Sequence, residues 1–198
     1  IQESNKVALD QGMSVALLLQ QVSELRSKIK MPIVLMGYLN PVMQFGIENF
    51  FKEAARVGVD GLILPDLPLD EYELYYKHLC ESLNLSVSFL ISPTTSEGRI
   101  RKIDALTSGF IYAVSSSSTT GAKQEFNQEQ ITYFKKLSTL QLKNPFLIGF
   151  GISNGKTYQQ ACAHSAGAIV GSSFITALKL ATNPATEIEK FVHTLRAS

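Results

Sequence analysis

Two glycine corners near the C-terminus carry the first chemistry this sequence offers. "LIGFGIS" ends an apolar run in Gly149 and Gly151, and "AIVGSS" ends the next in Gly171 and Ser172. Glycine lets a backbone approach an anion closely. A short apolar helical pattern, residues 173–180, follows the second corner before Asn183-Pro184 opens another helix. The first N–H groups of that short helix would point at an anion held there, helped by a dipole of roughly half a positive charge. The Ser172 hydroxyl adds a donor. Either corner alone also reads as a tight turn with Gly and Ser as turn and cap residues. Both together, with the short helix, point to phosphate. The serine-rich stretch "YAVSSSSTTGAKQEF", residues 112–126, is polar in the manner of a loop that closes over a site, and Gly121 could lend its N–H to the same phosphate. The composition equally suits a plain solvated loop.

Other residues sit where strands would end. "GYLNPV" (37–42) and "LPDLPLDEY" (64–72) both follow apolar runs. Tyr38 and Tyr112 could line a flat apolar pocket suited to an aromatic ligand, or could simply pack there. Asp66 could be a catalytic carboxylate, although Asp before Leu-Pro also serves as a turn or cap residue. His78, His164 and His193 fall in helical patterns without metal-ligand spacing, so no metal is expected. Cys80 and Cys162 are far apart and form no CxxC, which suits reduced core cysteines in a cytoplasmic protein.

The elements that must position these residues alternate regularly. Apolar runs at 32–36, 59–64, 85–91, 110–114, 145–148 and 166–170 are rich in Val, Ile, Leu and Phe and do not alternate with polar residues. That pattern marks parallel strands buried on both faces. Amphipathic helices lie between them. Leu18, Val22, Leu25 and Ile29 share one face behind a candidate N-cap, Ser14. Ile47, Phe50, Phe51 and Ala54 share another, ended by Gly58. "NQEQ" at Asn127 reads as a capping box. Repeated strand–helix units mean a doubly wound sheet or a (β/α)8 TIM barrel. Many barrels hold phosphate in the loops after strands 7 and 8, at the N-terminus of a short extra helix. Taking the two corners as those loops makes the visible strands numbers 3 to 8 of one α/β domain covering residues 1–198. The chain opens "IQESNK" without Met, so that domain is expected to be N-terminally incomplete. With 45% hydrophobic and 18% charged residues a sizeable core is expected. A net charge of +1 without a basic stripe speaks against nucleic acid, and no apolar run approaches the ~20 residues that span a bilayer.

The stretches "PIVLMGYLNPV", "GVDGLILPDLP", "SSSSTTGA", "GFGIS" and "GAIVGSS" together resemble the tryptophan synthase alpha subunit family, in its order and spacing from Ile1 nearly to the C-terminus. The resemblance implies a lyase that cleaves indole-3-glycerol phosphate by retro-aldol chemistry to indole and glyceraldehyde 3-phosphate. Indole would then pass to a beta subunit carrying pyridoxal phosphate, in an alpha2-beta2 assembly, for L-tryptophan synthesis. No cofactor is expected in this subunit. The resemblance assigns phosphate binding to Gly121, Gly151, Gly171 and Ser172. It assigns the indole pocket to Met36, Tyr38, Ile63, Ile91, Tyr112, Phe150 and Ile169. Asn40, Pro41, Asp66 and Pro68 would face the beta subunit. The family's two catalytic carboxylates, a Glu and an Asp, are expected before Ile1, with no replacement in residues 1–198. Two other readings fit parts of the pattern. A phosphate-binding barrel isomerase would share the glycine corners but lack the "YLNP" and "DLPLDE" loops. A non-catalytic barrel would bind a phosphate ligand and regulate a beta subunit.

Overall fold

The computed structural model describes residues 2–115 and 125–197. The chain opens with α1 (Gln2–Asp10) and α2 (Val15–Arg26), then β1 (Val34–Met36), α3 (Leu39–Phe45), α4 (Ile47–Arg56) and β2 (Gly61–Ile63). A helical stretch follows: α5 (Leu69–Glu71), a π turn (Tyr72–Tyr76) and α6 (Lys77–Ser82). Next come β3 (Ser86–Val87), β4 (Leu90–Ile91), α7 (Glu97–Leu106), β5 (Ile111–Val114) and α8 (Gln128–Thr139). The chain continues through β6 (Phe146–Gly149), α9 (Gly155–Cys162), β7 (Gly167–Ile169), α10 (Ser172–Leu180) and α11 (Pro184–Arg196). All strand pairs are parallel, as uninterrupted apolar runs separated by helices require. Contacts gather the chain into two compact bodies.

The first body comprises Gln2–Phe89 with Leu106–Phe110 and holds the sheet β1-β2-β3. Ser14 caps α2 as its sequence suggests, accepting from the Leu17 N–H at 3.2 Å. The buried face of α2, however, runs through Leu19 and Val22, while Leu25 is exposed. In α4 the Phe50, Phe51 and Ala54 face is buried, and Gly58 follows with φ +88°, which a Cβ would strain. The apolar run 85–91 does not form one strand. Val87 pairs with Leu62 of β2, and the ladder then stops. Serine hydroxyls take over there: Ser108 accepts from the Val87 N–H at 3.0 Å, and Ser88 from the Phe110 N–H at 3.2 Å.

The second body comprises Leu90–Ala105 with Ile111–Ser198 and holds the sheet β4-β5-β6-β7. Ile111, Ala113 and Ile148 are fully buried beneath helices whose core includes Ile100, Phe134 and Leu137. The Asn127 capping box forms as read, with Asn127 accepting from the Gln130 N–H at 2.9 Å and Gln130 from the Asn127 N–H at 3.0 Å. Phe174 and Phe191 meet edge to face at 5.5 Å and hold α10 against α11. The outer strands differ from expectation. Among the described residues β1 and β3 end one sheet and β4 and β7 the other, each with one neighbour, and Val34 and Met36 of β1 are exposed. Burial on both faces holds for the inner strands alone.

Candidate functional site

In the second body, β6 and β7 run side by side with Gly149 opposite Ile169, so both glycine corners leave the sheet at one level. At the first corner Phe150 and Gly151 both have positive φ, 68° and 75°. At the second, Gly171 precedes α10, and no side chain caps that helix among the described residues. The first N–H groups of a helix have no partner within it. The first turn of α10 contains no acidic residue and Lys179 lies in the last, an arrangement that leaves the positive end of the dipole uncompensated. The Ser173 hydroxyl donates to the Ile152 carbonyl at 3.1 Å and ties the helix start to the first corner. Free main-chain N–H groups at a helix start beside a glycine turn suit an anion chemically. Ser172, the first residue of α10, is exposed. Gly121 lies outside the described residues, as does most of the serine-rich stretch.

An apolar surface adjoins this corner on one face of the same sheet. Side chains alternate along a strand, and paired residues of parallel strands share a face. The register pairs Leu90 with Tyr112, Tyr112 with Leu147, and Gly149 with Ile169. Tyr112 and Ile169 therefore stand on one face. Ile91 does not join them. It pairs with Ala113 and lies on the opposite face, 1% exposed under the helices. Leu90 takes the place beside Tyr112, which no count of spacing could reveal before the register was known. Tyr112 and Phe150 meet edge to face at 6.0 Å. The Tyr112 ring lies against Gly149 so closely that a Cβ there would overlap it. Burial pushes the Tyr112 phenol up to about 12, so at physiological pH it can donate a proton in a hydrogen bond but not abstract one.

In the first body Met36 and Ile63 are register partners and so share a face, with Met36 exposed and Ile63 buried. Tyr38 is 62% exposed just beyond β1. Asp66 is no free carboxylate. Both its oxygens accept from the Leu39 N–H, at 2.8 and 3.0 Å, capping α3 across two loops because Tyr38 offers no side-chain cap. Asn40 and Pro41 in the first turn of α3 and Pro68 before α5 are exposed beside it. The cap reading of Asp66 thus describes its local role. Among the described residues no group of three His, Cys, Asp or Glu could hold a metal ion. None of the described helices is long and apolar enough to cross a membrane.

Comparison with known proteins gives one consistent answer. The family model described as "Tryptophan synthase alpha chain" matches residues 1–197. The tryptophan synthase alpha chain of Parabacteroides distasonis is 50% identical over 99% of this chain and 76% of its own length. That of Bacteroides thetaiotaomicron is 47% identical over 99% of this chain and 77% of its own. Among solved structures, a mutant alpha-subunit of Pyrococcus furiosus superposes with TM-score 0.87 at 29% identity, covering all of this chain and 79% of its own. The Pyrococcus furiosus tryptophan synthase a2b2 complex is similar at TM-score 0.87 and 31% identity, with the same coverage. The fold is accordingly that of an α/β barrel of the TIM class.

Proposed function

The chain belongs to the tryptophan synthase alpha chain family, and from that premise we propose how its residues serve the family's reaction. It is a lyase subunit acting in tryptophan biosynthesis, and its substrate is indole-3-glycerol phosphate, split into indole and glyceraldehyde 3-phosphate. Its partner is the tryptophan synthase beta subunit, in an alpha2-beta2 assembly. The beta subunit carries the pyridoxal phosphate that joins indole to serine, and the assembly works in the cytoplasm. Residues 1–198 supply binding and positioning.

One observation carries this assignment: two glycine corners at one level of the sheet, tied by Ser173, beside an apolar ring pair. The phosphate lies against the N–H groups of Gly151 and the start of α10, with the Ser172 hydroxyl as a further donor. Gly121 belongs to the same set by sequence. The indole ring lies against Tyr112, Phe150, Leu90 and Ile169. Holding both ends of the substrate fixes the carbon–carbon bond between them, and positioning of that kind supplies much of an enzyme's rate. The Tyr112 phenol stays neutral because burial raises its pKa. Asn40, Pro41, Asp66 and Pro68 form the surface for the beta subunit, kept in shape by the Asp66 cap on Leu39.

Isothermal calorimetry tests the arrangement. Indole-3-glycerol phosphate should bind more tightly than sn-glycerol 3-phosphate or indole alone, because one molecule occupies both subsites. Equal affinities for all three would refute it.

A further inference from the structure

The turn that presents Gly151 is held from beneath by a residue that the binding site itself does not use. Phe150 has φ +68°, a region that a phenylalanine occupies only where its neighbours impose it. The imposing neighbour is Ser115, 1% exposed at the end of β5. Its hydroxyl donates to the Phe150 carbonyl at 2.7 Å, and its N–H donates to the Gly149 carbonyl at 2.9 Å. Its own carbonyl accepts a buried bond from the Gln130 side-chain amide at 3.1 Å. The other end of that amide accepts from the Asn127 N–H at 3.0 Å. A chain of bonds thus runs from the capping box of α8 through Ser115 to the first glycine corner.

The consequence follows from peptide geometry. The carbonyl of Phe150 and the N–H of Gly151 belong to one planar trans unit, so they point in opposite directions and turn together. A hydroxyl that fixes the carbonyl from below also aims the N–H outward. We propose that Ser115 is a positioning residue for phosphate: by gripping the Phe150 carbonyl it holds the Gly151 N–H toward the anion. The proposal rests on the phosphate assignment above. Ser115 itself is sealed from solvent, with its three polar groups engaged within the fold.

The test compares the full chain with its Ser115→Ala, Ser115→Cys and Ser115→Thr variants, each checked for folding by near-UV circular dichroism. Calorimetric titrations use sn-glycerol 3-phosphate and, separately, indole. Ala removes the donor and Cys keeps nearly the same volume with a much weaker one, so the two together separate packing from hydrogen bonding. Both should weaken sn-glycerol 3-phosphate about fivefold, the usual worth of one hydrogen bond, and change indole affinity less than twofold. Thr keeps the hydroxyl and should restore phosphate affinity to within twofold. Unchanged phosphate affinity in Ala and Cys would overturn the proposal while leaving the phosphate site intact. A parallel loss for both ligands would also overturn it, since that is the mark of a general structural role. No binding of sn-glycerol 3-phosphate by the unmodified chain would defeat the phosphate assignment and the proposal together.

Discussion

Tyr112 and Gly149 depend on each other at contact distance. The ring of Tyr112 is buried against Gly149, and no Cβ fits between them. Gly149→Ala should displace the ring and cost about 1–3 kcal/mol of stability, as overpacking of a filled site does. Urea denaturation measures the loss, and indole affinity should fall with it; an alanine variant with full stability and full indole affinity would contradict this packing. The glycine corners, the α8 capping box and the Ser14 cap were legible because each is a local device whose residue types fix its geometry. Ile91 and Leu90 were not separable, since they are adjacent in one apolar run and only the pairing of Leu90 with Tyr112 decides which shares its face. The grip of Ser115 on Phe150 was equally hidden: 35 residues part the two, and a serine in a serine-rich stretch carries no mark of its partner.

At the scale of elements, the join between α7 and β6 rests on one carboxylate. Asp104 accepts from the N–H groups of Lys143 and Asn144 at 2.7 and 2.9 Å, and from the Asn144 side chain at 2.9 Å. Partial burial would raise its pKa, but these donors outweigh it and hold the group below the ordinary carboxylate value. A depressed folded-state pKa contributes stability that is present above the unfolded value of about 3.9 and is lost as pH falls through the folded value. Asp104→Asn should therefore lower the melting temperature at pH 7 by a few degrees, corresponding to about 1 kcal/mol for a partly exposed group. The gap between variant and unmodified protein should close in acid. A gap unchanged down to pH 2 would show that the charge contributes nothing. Strand order and parallel pairing were readable from the alternation of apolar runs with helices. The break of run 85–91 was not, because it depends on Ser88 and Ser108 hydroxyls meeting main-chain N–H groups 21 and 22 residues away.

For the whole molecule, the partner surface proposed above depends on a single cap. Asp66 holds the start of α3 through Leu39, and the exposed Asn40, Pro41 and Pro68 surround it. Asp66→Ala removes the cap, worth about 1 kcal/mol, and should weaken association with the beta subunit several-fold while leaving sn-glycerol 3-phosphate affinity within twofold. Sedimentation or biolayer measurements with the purified beta subunit read the first, calorimetry the second. Loss of both would mean that the loop belongs to the substrate site as well.

The central claim, that the corner at Gly171 with the start of α10 holds phosphate, is tested most directly by Gly171→Asp. A carboxylate placed at the helix N-terminus stands at contact distance from the bound dianion, and like charges at about 4 Å repel by several kcal/mol near a protein surface. Affinity for sn-glycerol 3-phosphate, measured by calorimetry on the folded variant, should fall roughly a hundredfold or more. Indole affinity should change little, since the ring subsite proposed above is the Tyr112–Phe150 pair. A folded Gly171→Asp chain that binds sn-glycerol 3-phosphate as tightly as the unmodified protein would place the phosphate elsewhere and contradict the account.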